Sequence, residues 1–414
     1  MKIYKFFIKQ FQDIKKNPKI ISRKILTAFS YTKRIFFFPI NVFLLLIIIL
    51  IGKVKLIRVG FLKTKWVGDW VMMTEIYHQE KKKFNNKSID IFIIDNFIFK
   101  KFFYIKIKKK FFLINKNFLD LLILITFLSK KIHYFKKHLA LRYQQRLDYN
   151  QILDDTQTDF YLDQDEIKKG NEILKNNIKK EFKGIVLFCV RNSFYNEKTF
   201  PNKNWNFLKY RDYDFNEFIQ GANFLTSKGY LVLRMGKENK HKIETDNELI
   251  IDYSFCNWKS DFMDYFLGYR CDFCISTATG MDTFARLFRK PIGLIENPIS
   301  AMYYFTVTFT YIFGYIKNKL DNTYLDINEI FEKMGSLGQI NKIVETNFIL
   351  EKNNSEDILD LVVEVEKKYK NKFLKENYYD ELQNKFWKIF FKYNKQMSDP
   401  PKLNFRICSS FLKK

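Results

Sequence analysis

Residues 271–296 read CDFCISTATGMDTFARLFRKPIGLIE. An apolar run, Asp272 to Ser276, ends in the hydroxyl-rich turn Ser276-Thr277-Ala278-Thr279-Gly280. A helical segment from Met281 to Phe288 follows, with Met281, Phe284, Ala285 and Phe288 on its apolar face. Lys290-Pro291 closes that helix before a second apolar run, Ile292 to Ile295. Strand, turn, helix and strand in this order predict one unit of a parallel α/β sheet, whose ligands sit at the strand-to-helix turn. Unpaired amides and the positive helix end attract phosphate there, and a glycine lets the ligand approach the backbone. Serine and threonine are also ordinary helix caps, so the neighbouring turns have to decide between the two readings.

Upstream, the same alternation continues. Gly184–Val190 predicts a strand, Phe215–Lys228 a helix, Tyr230–Arg234 and Leu249–Asp252 strands, and Ser260–Leu267 a helix. The series implies a doubly wound parallel sheet. Two of its turns, Val190-Arg191-Asn192-Ser193 and Arg234-Met235-Gly236, carry an arginine just beyond a strand's C-terminal end. Both guanidinium groups are therefore expected to face one crevice with Ser276 and Thr277, where bidentate contact suits the oxygens of a diphosphate. The alternative is pairing with helix acids such as Asp261 or Asp264.

Farther out the pattern divides into five segments. Residues 1–52 form a basic leader ending in the uncharged run Ile35–Ile51, which includes Pro39 and Asn41. That run is short for a membrane span and basic on both flanks, so an interfacial or re-entrant anchor is expected rather than a signal peptide. Residues 53–160 open a first βαβ unit, with strands at Val54–Val59 and Ser88–Ile94 around a helix at Asp69–Lys83. Trp70, Met73 and Tyr77 share a face of that helix. Residues 161–182 read as a linking helix and 183–345 as the second α/β domain. Residues 346–414 are expected to be helices packing back across the domains, with Ser355 capping one that turns Ile358, Leu361, Val362 and Val365 inward. The fold class is thus α/β, two Rossmann-like domains with an N-terminal apolar segment.

Composition excludes disorder and narrows the partners. The 414-residue chain is 47% hydrophobic and 18% aromatic, enough apolar surface to offset the entropy of folding in two cores. Its formal charge of +26 suits any polyanion: nucleic acid, an acidic membrane or a phosphorylated substrate. Lysine, asparagine, isoleucine and phenylalanine are abundant together, as an AT-rich coding composition would produce, so charge alone selects none of them. Five cysteines, mostly within apolar runs, suggest a reducing compartment. Cys271-Asp-Phe-Cys274 has metal-site spacing but no second pair, and reads as core. Asp163-Gln164-Asp165 opens a charged helix and reads as a cap rather than a cation site. The histidines show no i, i+4 pairing, and neither a P-loop nor GxGxxG occurs.

The motifs CVRNS, GYLVLRMG, SDFMDYFL and STATGMDTFARLFRKP occur in an order that resembles a family of glycosyltransferases from bacterial surface-polysaccharide gene clusters. The resemblance extends over most of the chain, including the basic-hydrophobic leader, Gly68 in the first βα turn and Leu325–Phe331. Members resemble the two-domain GT-B enzymes, in which the C-terminal half holds a nucleotide diphosphate sugar and the N-terminal half an acceptor. The resemblance implies a donor site of Arg191, Asn192, Ser193, Arg234, Gly236, Ser276, Thr277, Thr279 and Gly280 with Asp282 nearby, and an acceptor side at Gly68 and Glu75. Where the family often has histidine after Gly68 this chain has Asp69, and either can take a proton from an acceptor hydroxyl. No metal or cofactor beyond the donor is implied. The implied partners are a nucleotide sugar, a lipid-linked or glycan acceptor and the cytoplasmic face of the bacterial inner membrane, not nucleic acid.

Two other classes remain beside this one: a catalytically inactive membrane-associated binding or assembly protein, and a basic RNA-binding protein. The second predicts a cationic groove with exposed aromatics, whereas the lysines here are spread along the chain and the phenylalanines fall in core-like runs. The transferase expectation requires Arg191 and Arg234 to converge with Ser276 on one pocket.

Overall fold

The computed structural model describes residues 20–95, 98, 100–140, 148, 152–296, 309–334, 347–370, 381–393 and 406–413. In chain order the elements of the first part are α1 (Ile20–Ile51), β1 (Ile57–Leu62), α2 (Val67–Lys83), β2 (Ile89–Ile94), α3 (Lys101–Lys108), β3 (Phe112–Asn115) and α4 (Leu119–Lys131). There follow α5 (Gln164–Asn177), β4 (Gly184–Cys189), α6 (Phe194–Thr199), α7 (Ile219–Ser227), β5 (Tyr230–Arg234), β6 (Ile250–Ile251), α8 (Asp261–Arg270) and β7 (Phe273–Ser276). The last part holds α9 (Thr283–Leu287), β8 (Ile292–Glu296), β9 (Phe309–Phe313), β10 (Tyr315–Asn318), α10 (Ile327–Met334), β11 (Phe348–Glu351), α11 (Ser355–Lys370), α12 (Glu381–Tyr393), β12 (Arg406–Ile407) and α13 (Ser409–Lys413).

The chain forms two compact units. The first comprises Met1–Thr64, Asn85–Ile98 and Lys108–Gln144, and the second Lys65–Phe84, Phe99–Ile107 and Gln145–Lys414. In the first unit β1, β2 and β3 make a three-stranded parallel sheet in sequential order. Leu45 and Ile48 of α1 close over Ile57, Val59 and Ile93 of that sheet, with Leu121 and Ile125 of α4 in the same core. The apolar run of the leader is therefore part of a globular unit. Its helix continues through Pro39, and the Asn41 side-chain amide donates to the Phe37 carbonyl at 2.8 Å.

The second unit is built on seven strands in the order β12-β9-β8-β7-β4-β5-β6, with every neighbouring pair parallel. From β6 to β9 this is the doubly wound order 3-2-1-4-5-6, which reverses between β4 and β7. Strand β4, GIVLFC, is buried along its whole length, as a central parallel strand covered on both faces must be. Tyr230–Arg234 matches its predicted strand residue for residue, and the other predicted elements of this sheet differ at their ends, whereas the short helix α6 was not predicted and the strand expected at Val54–Val59 in the first unit lies at Ile57–Leu62.

Sequence reading missed β11, which pairs antiparallel with β10; its alternating half-exposed residues are too few to register as a strand. It also missed β12, a two-residue edge strand beside β9. The first sheet shows three strands among the described residues, fewer than a full Rossmann unit. Ser355 is not the cap of α11: the Asn354 side chain accepts the Glu356 and Asp357 amides at 3.1 and 3.0 Å, and the Ser355 hydroxyl turns to Glu217. Its inward face is as expected, with Ile358, Leu361, Val362 and Val365 all buried. Asp163 caps α5 in a capping box with Glu166, and Cys271 and Cys274 are core residues, their thiol pKa values raised by burial.

One feature of α11 makes stability depend on pH. Lys368 is buried against the Phe309 carbonyl at 3.3 Å, and desolvation lowers its pKa to about 7. Between that value and the usual 10.5 the unfolded chain binds the proton that the folded chain does not, so stability rises with pH over this window. The melting temperature is expected to rise between about pH 7 and pH 9, and Lys368→Met is expected to flatten that rise. Thermal unfolding of both proteins across the window checks it.

Candidate functional site

A cavity of about 590 Å³ opens at the C-terminal ends of β4, β5 and β7, where the strand order reverses and open α/β sheets bind ligands. All of its walls belong to the second unit. They are the segments Lys65–Asp69, Val190–Asn192, Met235–Asn239 and Ala278–Thr283, with Met72, Tyr195, Asn196, Trp205, Leu208, Tyr210, Arg211 and Arg286. Its size suits a ligand of several hundred daltons.

The floor is set by strand register. Cys189 lies opposite Ser276, and the chain beyond each strand is cross-tied: the Arg191 amide donates to the Thr277 hydroxyl at 2.8 Å, and the Thr277 amide to the Cys189 carbonyl at 3.1 Å. Ala278 then takes a left-handed backbone, φ 56°, which costs a non-glycine residue about 1 kcal/mol. Its carbonyl accepts a hydrogen bond from Arg211. Gly280 has another role. A Cβ there would stand 2.8 Å from Val67 Cγ1, so its hydrogen lets the 278–283 turn approach the start of α2, where Gly68 makes the reciprocal approach.

Arg191 is the cation on which the site turns. Its Nε is 3.2 Å from Asp212 Oδ1, yet neither Nε nor Nη2 has a hydrogen-bond partner among the described residues, although both atoms are buried. Burial, with the charge of Arg211 close by, lowers its pKa. A guanidinium held like this has desolvated donors available to an anion. Arg211 and Lys237 add positive charge to the same wall, and burial lowers the Lys237 pKa too, followed by repulsion from Lys100. In all, Lys65, Arg191, Arg211, Lys237 and Arg286 line the cavity with Asp69, Glu238 and Asp282. The N-terminus of the 17-residue helix α2 also opens here, without a side-chain cap at Trp66, and offers amide donors and a favourable dipole to an anion. Beside it Trp66, Phe200 and Trp205 form an aromatic cluster with ring centroids 5.6–6.3 Å apart.

The structure brings Gly68, Asp69, Arg191, Asn192, Gly236, Thr279, Gly280 and Asp282 to the cavity wall and sends the other expected residues elsewhere. Arg234 does not converge with Arg191. Its Nη1 lies 3.1 Å from Asp252 Oδ2 and 3.0 Å from the His241 carbonyl, and its guanidinium lies over Phe215, because Asp252, just beyond the neighbouring edge strand β6, supplies a buried carboxylate. Ser276 is fully buried and donates to Asp282 Oδ2 at 2.5 Å. Thr277 is spent on the Arg191 amide, and Ser193 on Asp212. Glu75 is buried in an ion pair with Arg289 at 2.6 Å and accepts from Thr158 at 3.0 Å. These hydroxyls and charges hold the loops that carry the site and do not line it.

Asp282 reaches the wall already engaged by Ser276 and by Arg286 at 3.0 Å. Asn192 binds Asn239, which donates to Ser254 at 2.8 Å, and a Cβ on Gly236 would stand 2.8 Å from Asn239 Nδ2. Sequence reading missed Arg211, Lys237 and the aromatic cluster. Lys237 follows Gly236 at a strand end and was open to the argument used for Arg191. Arg211 and Trp205 lie in irregular chain, where no periodicity marks them. Among the described residues no three His, Cys, Asp or Glu side chains gather in a way that could hold a metal ion.

No protein-family model matches the sequence, and no curated protein matches it. Among solved structures the chain is similar to the E. coli ADP-heptose LPS heptosyltransferase II, at 11% identity over 76% of this chain and 100% of that one, TM-score 0.43. It is also similar to a glycosyl transferase family 9 protein from Veillonella parvula, at 10% identity over 75% and 98%, TM-score 0.41. Likeness to the E. coli heptosyltransferase WaaC with ADP-2-deoxy-2-fluoro heptose is lower, at 9% identity over 60% and 92%, TM-score 0.29. Scores at this level add nothing to the strand order and cavity just described.

The two arginines are expected to respond oppositely to substitution. Arg191→Gln removes the guanidinium and should weaken binding of inorganic pyrophosphate at least about tenfold, with a smaller loss of stability because Asp212 is part-exposed and keeps the Ser193 hydroxyl. Arg234→Gln leaves Asp252 buried without its partner and should cost about 3 kcal/mol of stability. Isothermal titration and chemical denaturation of both variants check the contrast.

Proposed function

We propose that the protein is a glycosyltransferase that moves a sugar from a nucleotide diphosphate sugar to a hydroxyl of a lipid-linked or glycan acceptor in bacterial surface-glycan synthesis. The observation that carries the reading is Arg191: a buried guanidinium with unused donors, on a cavity at the switch point of a doubly wound sheet, beside a helix N-terminus. That combination is suited to a diphosphate, the group that must gain charge as a sugar–phosphate bond breaks.

In this reading the donor diphosphate lies against Arg191, Arg211 and the start of α2. The acceptor oxygen attacks the anomeric carbon, the bond from that carbon to the phosphate oxygen breaks, and the leaving diphosphate keeps the electron pair. The fixed cations stabilise that charge without a bound metal. Asp69, in the first turn of α2 and on the cavity wall, takes the proton of the acceptor hydroxyl. In the two-domain scheme implied by the resemblance, the second unit takes the donor. The leader's apolar helix would keep the enzyme beside its acceptor at the cytoplasmic membrane face.

A thermal-shift screen with UDP-, GDP-, ADP- and CMP-linked sugars tests the reading, since a ligand that binds only the folded state raises its stability. One nucleotide sugar should raise the melting temperature and be consumed when acceptor is supplied. Asp69→Asn should retain that shift while turnover falls at least about a hundredfold. Binding without turnover under all conditions would leave a glycan-binding protein, and no response to any nucleotide or to pyrophosphate would remove the reading altogether.

A further inference from the structure

The helix Thr32–Ile51 has 20 residues and a mean hydropathy of 2.7, enough by length and composition to cross a bilayer. Its packing argues for a different placement. Asn41 is fully buried and its side chain donates to the Asn117 carbonyl at 3.4 Å, while Leu45 and Ile48 form the core under β1. Arg34 is tied to Asp120 at the start of α4, with Nε 3.2 Å from both carboxylate oxygens. At the other end a Cβ on Gly52 would stand 2.7 Å from His138 Cε1. Crossing a bilayer would strip this whole inward stripe from the first unit's core. Outward, at the helical spacing of one face, Phe36 is 70% exposed, Phe43 62% and Leu50 65%.

Helix α4 packs beside α1 and repeats the pattern. Leu121, Ile125 and Ser129 point inward, whereas Ile123 is 46% and Phe127 60% exposed. The stretch Leu121–Ile125 is wholly apolar, so the sequence there carries no mark of which side faces out. Two adjacent helices thus present apolar outer faces on the first unit, a kind of surface that soluble monomers rarely expose. Lysines gather at the C-terminal ends of both helices: Lys53 and Lys55 after α1, Lys130 and Lys131 closing α4, and Lys136 and Lys137 in the turn that brings His138 against Gly52.

We infer that α1 and α4 together form a membrane-docking face that lies in the plane of one leaflet, its phenylalanines and isoleucines among the acyl chains and its lysine end against anionic headgroups. An apolar face with a basic border is the composition that partitions into an acidic interface, and the buried stripe of α1 keeps that helix tangent to the bilayer. The inference rests on the membrane-associated part of the proposed function and is independent of the transfer chemistry.

The test is flotation of the purified full chain with vesicles of phosphatidylethanolamine and phosphatidylglycerol, and with vesicles of phosphatidylcholine alone. Wild-type protein should float with the acidic vesicles and be released by alkaline carbonate, as an interfacial protein is. Phe127→Ser, on the helix that was not part of the leader, should weaken flotation about tenfold. Lys130→Glu with Lys131→Glu should weaken it on acidic vesicles only. These side chains are exposed, so circular dichroism should show all variants folded, and a pyrophosphate titration should show the cavity unchanged. Carbonate resistance with normal flotation of Phe127→Ser would mean that α1 spans the membrane, and the inference would fail. It would equally fail if wild-type protein ignored the acidic vesicles, and a dimer that Phe127→Ser dissociates would then assign the face to a second copy of the chain.

Discussion

The pairing of β4 with β7 is the constraint on which the site depends. Where these strands end side by side, two chains leave the sheet in opposite directions and a crevice opens between them. The Arg191 amide bound to the Thr277 hydroxyl, and the Thr277 amide bound to the Cys189 carbonyl, set the distance between the two loops. Everything around the cavity is placed from that tie: Ala278 in its left-handed turn, Arg211 on its carbonyl, and Gly280 against the start of α2. A one-residue shift of β4 against β7 would break both of these ties and turn Arg191 away from the crevice.

Most of the buried charge is paired with a nearby opposite charge. Arg234 is paired with Asp252, Arg289 with Glu75, and Asp282 with Arg286, Ser276 donating a further hydrogen bond to Asp282. Such pairs add little net stability, because desolvation offsets their attraction, but breaking one leaves a charge stranded. Arg191 is paired as well, with Asp212, but it lines the cavity and has two buried donors, Nε and Nη2, without a hydrogen-bond partner among the described residues, where Arg234 has one, Nε, and does not line it. An unsatisfied buried donor is a standing cost, and an anionic ligand is the physical remedy. This contrast separates the one arginine suited to binding from the one suited to holding the sheet edge, a distinction their matching positions at strand ends conceal.

The first unit shows a related division of labour. Its two surface helices bury one stripe each beneath which the small parallel sheet is completed, and leave the other stripe apolar. Neither stripe could be assigned from α1 alone, because nearly every residue from Ile35 to Ile51 is apolar and the helical period disappears into a uniform background. The same loss of contrast hid the outward face of α4, whereas in α11 the charged residues between Ile358, Leu361, Val362 and Val365 made the buried face plain.

What the sequence determined by itself was the alternation. Apolar runs of strand length, separated by amphipathic helices and ended by Ser276–Gly280, Arg191 and Gly236, imply a doubly wound parallel sheet with a binding crevice at its strand ends, because local periodicity and turn chemistry act over a few residues. Tertiary structure alone decided which polar side chains face that crevice. Ser276, Thr277 and Arg234 found nearer partners, and Arg211, Lys237 and Trp205 came in from irregular chain. Side-chain direction at a strand end depends on which carboxylate or amide lies within about 3 Å in space, and no spacing along the chain encodes that distance.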